Sequence, residues 1–229
     1  MSQPLITPKT AASAPTMDFD QLAKTLENAT NTATPNRQIP PLETWAPALS
    51  GEMDLTIKAN GEWWHEGRPI TRDLLVDLFS KVLWAQTDEQ NQVRYFLKTP
   101  AEKWQIKVEN APLLVTQVDV IASPQKDLPP QLQFTTRQGD VVVADAEHPI
   151  RLGLPFFSAD SQTKDAQSQA NLPYVLVRQN GTSALYALIH RNVFYHLVEL
   201  GTLVDTPAGT CLRLKSGSSV FELTMAADA

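Results

Sequence analysis

The chain has 229 residues, 42% of them hydrophobic and 19% charged, enough to bury a real core as one large domain or two small ones. A formal net charge of −6 excludes a protein built to neutralise a run of duplex phosphates, so no nucleic-acid duplex is expected as partner. One cysteine, Cys211, cannot form an intramolecular disulfide and fits a reducing compartment. The start lacks a signal-like pattern and no run nears the roughly 18 apolar residues of a membrane span, so the chain reads as soluble and cytoplasmic.

Residues 1–40 read as a mobile arm carrying one helix, in which Asp18 caps a face of Phe19, Leu22, Ala23 and Leu26. From Met53 the pattern is β-like: Met53, Leu55 and Ile57 alternate with polar residues, Asn60-Gly61 marks a hairpin, and Trp63-Trp64 follows. Gly67-Arg68-Pro69 breaks the strand. A helix then starts with Thr71 as its cap and Leu74, Leu75, Leu78, Phe79, Val82 and Leu83 as its apolar face. Strand-like runs occupy 93–98, 103–109 and 113–121, and Pro124, Pro129 and Pro130 mark a division between a first subdomain at 41–123 and a second at 124–229. Beyond it come a hairpin turning at Gln138-Gly139, a polar loop at 158–171, and a second hairpin at Asn180-Gly181. A helix with Val193, Phe194, Leu197 and Val198 on one face follows, and two closing strands end the chain.

Three signals recur in the same order. Asn60-Gly61, Ile70-Thr71-Arg72-Asp73 and Thr99-Pro100-Ala101 are answered by Asn180-Gly181, Ile189-His190-Arg191-Asn192 and Thr206-Pro207-Ala208. The helix faces after the two arginines match as well. Shared order and matched faces predict a duplicated hairpin–helix–strand unit, hence an α+β fold with mostly antiparallel sheets.

Trp45 and Pro47, the run GEMDLTIKANGEWWHEGRPITRDLLVDLFSKVLW, and YFLKTPAEKWQIKVENAPLL carry a specific likeness. It continues through LQFTTRQGDVVVADAEHPIRL, Pro173-Tyr174-Val175, Arg178 and HRNVFYHLVELG. Over about residues 42–202 the chain resembles the bacterial domain-of-unknown-function family number 1285. That resemblance implies a duplicated core with a pleckstrin-homology-like C-terminal half, and a nucleotide-type ligand held between the halves in signal transduction. It implies no assigned reaction. The long N-terminal arm and the 158–171 loop depart from the family pattern and put partner surfaces there in doubt.

Arg72 and Arg191 each fall in the first turn of a predicted helix, where the macrodipole disfavours a cation. The same misplaced charge at two helix starts points to an anionic partner clamped by guanidinium groups and free helix N–H groups, with salt bridges to Glu102, Glu199 or Asp205 as the structural alternative. Arg151 and Arg178 would add charge, and Trp63 or Tyr174 a stacking surface, although Trp63 and Trp64 must face opposite ways on a strand. His148 and Glu102 complete the candidate ligand set, with His65-Glu66-Gly67 as a further stretch lining a cleft.

No phosphate loop, nucleophile elbow, zinc helix or calcium loop appears, so no cofactor, metal site or catalytic residue is expected. A non-enzymatic binding module for a nucleotide-type small ligand leads. A module for a signalling partner protein is second, and a hydrolase using Glu102, His148 or His65 is third.

Overall fold

The structure is a computed structural model that describes residues 39–90, 92–154, 171–207 and 209–226. The arm helix at 18–29 and most of the 158–171 loop lie outside the described residues. A short 3-10 turn, Leu42–Thr44, is the first element described and buries Leu42 in the core. The first half then runs β1 (Leu49–Ile57), β2 (Trp63–His65), β3 (Arg68–Pro69), α1 (Asp73–Lys81), β4 (Leu83–Thr87), β5 (Val93–Lys98) and β6 (Glu102–Val108). The second runs β7 (Leu113–Ile121), β8 (Gln131–Thr136), β9 (Val141–Val143), β10 (Ile150–Leu152), β11 (Pro173–Asn180), β12 (Ser183–Ile189), α2 (Arg191–Leu200), β13 (Thr202–Thr206), β14 (Gly209–Ser216) and β15 (Ser219–Ala226).

The molecule is mostly β, with few helices. Two six-stranded sheets have the orders β3-β2-β1-β6-β5-β4 and β10-β11-β12-β7-β8-β9, and a third holds β13-β14-β15. All neighbours are antiparallel except β1 with β6 and β12 with β7. The expectation of mostly antiparallel sheets is met, with one parallel pair in each large sheet.

Each half contains a hairpin, a helix and then strand in that order, as the repeat predicts, and in each the strand part is a three-strand meander. The third matched signal does not superpose, however. Thr99-Pro100 turns β5 into β6, the second turn of its meander, whereas Thr206-Pro207 lies between β13 and β14, the first turn of the other. Thr-Pro marks a turn in both places, because proline cannot donate to a ladder, but not the same turn.

The proline-rich stretch after β7 connects two strands that pair with each other, β7 and β8, within one sheet. β7 therefore sits in the second sheet, and the proline cluster reflects the length of a hairpin connection. One apolar cluster draws on all three sheets and both helices, including Leu55, Trp63 and Phe79 from the first half and Phe134, Val175 and Leu197 from the second. Gly51 lets β1 lie against the Trp104 ring, since a Cβ there would stand 2.5 Å from its Cζ3 atom.

Polar ties cross between the halves. The Ala85 backbone N–H donates to Ser183 Oγ at 2.9 Å, joining β4 to the start of β12. Tyr174 Oη donates to Asn110 Oδ1 at 2.9 Å. Arg178 on β11 forms a buried two-pronged pair with Asp140 and also donates to the Ser80 carbonyl near the C-terminus of α1, at 2.6 Å. A cation at that end of a helix complements the carbonyl dipoles.

Candidate functional site

The eight predicted ligand residues do not converge. Arg178 is 8% exposed and spends its guanidinium on Asp140 and Ser80, so it is a structural tie rather than a ligand group. Tyr174 has no exposure and its hydroxyl is committed to Asn110, which removes it as a stacking surface. Burial pushes its phenol up to about 12 against the opposing pull of that hydrogen bond. Trp63 is likewise core, 2% exposed and stacked on Phe79 at 6.1 Å. Its indole N–H has no acceptor among the described residues. Strand alternation sends Trp64 the other way, so Trp64 is the half-exposed member of the pair.

His148 holds a turn: its ring nitrogen meets the Leu176 carbonyl at 2.9 Å and its backbone N–H donates to Asp145. Glu102 accepts from the Trp104 indole at 2.8 Å, and among the described residues it forms no salt bridge with Arg72. Arg151 is half-buried on β10, where its guanidinium reaches Tyr186 Oη only at 3.5 Å. Arg191 is exposed as the first residue of α2. The cap is the preceding His190, whose Nδ1 accepts from the Asn192 N–H. Asp205 accepts from Thr210 instead of pairing with Arg191.

Of the eight predicted ligand residues, Arg72 lines an open cavity, and His65 and Glu66, from the stretch expected to line a cleft, line the same one. Arg72 occupies the N-cap position of α1, in extended backbone, with no side-chain capping bond; the expected cap, Thr71, lies one residue too early to reach the helix N–H groups. A cleft of about 500 Å³, within the usual size of small-molecule sites, brings Arg72 together with His65, Glu66, Arg68, Ile70 and Leu75. His65 Nδ1 is tied to the Asp54 carbonyl at 2.9 Å. Among the described residues no carboxylate forms a salt bridge with Arg68 or Arg72. The cleft belongs to the first half alone and does not include Arg151, Arg178 or Arg191.

Arg68 was missed because Gly67-Arg68-Pro69 reads as a strand break. In the structure Glu66 and Gly67, at φ 48° and 73°, form a tight two-residue turn that pairs His65 with Arg68. Both central residues being left-handed is the geometry of a type I′ hairpin, ordinarily signalled by Asn-Gly or Asp-Gly. A Cβ on Gly67 would meet nothing within 4 Å, so backbone conformation and not space demands glycine there. Glu66 is the non-glycine residue with positive φ among those described, and it stands at the cleft rim. No group of three or more His, Cys, Asp or Glu side chains among the described residues could hold a metal ion, and no described helix is long and apolar enough to cross a membrane.

Comparison with known proteins supplies a family and no activity. Residues 40–111 match the model for the N-terminal domain of a domain of unknown function, DUF1285, and residues 112–223 match the model for the C-terminal domain of the same family. The two matches meet at the start of β7, where the second sheet begins. A crystal structure of a DUF1285 family protein from Silicibacter pomeroyi DSS-3 is similar at 33% identity and a TM-score of 0.64, covering 87% of this chain and 94% of the other. One from Shewanella baltica OS155 is 23% identical with a TM-score of 0.43, covering 64% of this chain and 91% of that one. No curated protein matches the chain.

Proposed function

The chain belongs to the DUF1285 family, and from that premise we propose that it is a non-enzymatic sensory module that binds a small anion, of the nucleotide or phosphate type, in the α1 cleft. The observation that carries the reading is the convergence of Arg68 and Arg72, with no salt-bridging carboxylate among the described residues, on a cavity beside an uncapped helix start. Two guanidinium groups can fork onto phosphate or carboxylate oxygens, and the first N–H groups of α1 add donors along the favourable dipole direction. The left-handed Glu66 supports it, since strained backbone gathers where a side chain must be aimed. Signal transduction, a cytoplasmic location and a pleckstrin-homology-like second half complete the reading.

Thermal unfolding with inorganic phosphate, pyrophosphate and nucleoside phosphates tests it. A ligand at about 100 times its dissociation constant adds roughly 2.7 kcal/mol and raises the Tm. That rise should vanish in Arg68→Ala and Arg72→Ala, whose own stability changes little because both side chains are exposed. An unchanged Tm across all three classes overturns the reading. A partner protein is the second reading, favoured by Leu74, which is 82% exposed on the first turn of α1 beside Arg72. In that case Leu74→Ser, and not Arg72→Ala, removes cellular cross-links to this face.

A further inference from the structure

The cleft beside α1 is not lined by positive charge alone. Arg68 and Arg72 share it with the Glu66 carboxylate, and Ile70 and Leu75 give it an apolar wall. The turn that carries Glu66 is held from behind. The Asp54 carbonyl on β1 accepts the Glu66 backbone N–H at 3.2 Å and meets the His65 ring Nδ1 at 2.9 Å. Past the turn, Arg68 pairs with His65 and the Ile70 N–H donates to the Trp63 carbonyl at 2.7 Å. These bonds fix the backbone from which Glu66 and Arg68 project.

The Glu66 carboxylate itself has no hydrogen-bond or ion-pair partner among the described residues. Turn chemistry does not account for it. At φ 48° the position favours Asn or Asp, which bond the local backbone, or Gly, which has no Cβ; Glu offers neither advantage. For a simple phosphate lying between Arg68 and Arg72, this carboxylate is a like charge at the rim and weakens the ligand. For a ligand that brings its own cation, the same carboxylate is a third anchor. Two guanidinium groups and one carboxylate complement a phosphate monoester dianion joined to an ammonium group.

We infer that the cleft selects an amine-bearing phosphate monoester, with Arg68 and Arg72 on the phosphate, Glu66 on the ammonium, and the carbon skeleton against Ile70 and Leu75. This rests on the anion-binding reading of the cleft and adds the class of anion. Bare phosphate meets the same guanidinium groups and binds more weakly. The volume of about 500 Å³ takes a body as large as an amino sugar phosphate.

Calorimetric titration of the full chain with two matched pairs is the test: O-phosphoethanolamine against ethyl phosphate, and glucosamine 6-phosphate against glucose 6-phosphate. In at least one pair the amine should tighten binding about tenfold, the worth of one charge-assisted bond. Glu66→Gln should erase that difference and leave the amine-free member bound as well as before or better, because a like charge is gone. Glu66→Asn is the second variant. It suits the left-handed backbone better, so it should hold or raise the Tm while losing the same preference. Arg68→Ala/Arg72→Ala should abolish binding of both members. Equal binding within both pairs, dependent on the arginines, overturns this assignment and leaves the anion reading standing. No binding in either pair overturns it also, and the melts with phosphate and nucleoside phosphates then decide the anion reading separately. A preference for the amine that survives both Glu66 variants, ethanolamine binding as tightly as O-phosphoethanolamine, or binding to phosphatidylethanolamine vesicles alone each overturns the assignment as well.

Discussion

The two hairpin–helix–meander units start from similar sequence and end in different places. In the first, β6 returns to lie parallel beside β1, so hairpin and meander close into one six-stranded sheet. In the second, the hairpin strands are flanked already, β11 by β10 and β12 by β7, so the meander β13–β15 has no edge to join and forms its own sheet. The helix starts diverge with them. The α2 start is closed by the His190 side chain, while α1 starts without a cap beside the Glu66-Gly67 turn and opens onto the cleft. A shared local pattern fixes the elements; the edges left free by the rest of the chain fix what those elements pair with.

The largest effect should come from breaking the tie that holds the two units in place. Asp140→Ala strands the buried Arg178 guanidinium between β11 and α1, and should lower the unfolding free energy by about 3–5 kcal/mol in urea melts. Replacing both members, as Arg178→Met/Asp140→Leu, should recover much of that loss, because two apolar side chains leave no unpaired charge. A double variant no more stable than the single one would show that the Ser80 contact, not the ion pair, is the tie.

The tyrosine tie gives a smaller, pH-dependent effect. The Tyr174 phenol titrates near 10 when unfolded and is raised to about 12 by burial, so its neutral form favours the fold. Its contribution is complete below pH 10 and disappears as pH rises towards 12, at most about 2–3 kcal/mol. Tyr95, also raised by burial, adds to the same alkaline loss. Tyr174→Phe should flatten this limb of the pH–stability curve, and should cost about 1–3 kcal/mol at neutral pH by leaving buried Asn110 short of a donor.

The smallest effect sharpens the contrast between the helix starts. His190→Ala removes a capping acceptor from α2 and should cost about 1 kcal/mol, whereas Thr71→Ala at α1 should cost almost nothing, since Thr71 caps no N–H group. Equal losses in the two variants would mean that α1 is capped after all.

Much of the β architecture was legible. Met53, Leu55 and Ile57 alternate inward as read, the Asn60-Gly61 and Asn180-Gly181 turns join paired strands, and Val193 and Leu197 are buried on α2. At α1 the legible face ran too long: Val82 caps the helix, Leu83 belongs to β4, and Leu74 is exposed. Apolar periodicity counts side chains but does not record where a helix hands over to a strand of equal hydropathy. The site was less legible. Of the residues singled out, Arg72, His65 and Glu66 line the cleft, while Arg178, Tyr174 and Trp63 turn inward.

What the sequence determined by itself is the family, the hairpin–helix–strand order repeated in two halves, and the alternation that makes one tryptophan of Trp63-Trp64 core and the other half-exposed. These follow from short-range chemistry: turn residues, side-chain period and helix faces. Tertiary structure alone decided which sheet receives β7, why the second meander stands apart, and which arginines stay open. An arginine buried against Asp140 and one facing solvent beside Arg68 carry the same charge and the same propensity. Only the through-space neighbours, brought from strands far apart in the chain, tell them apart.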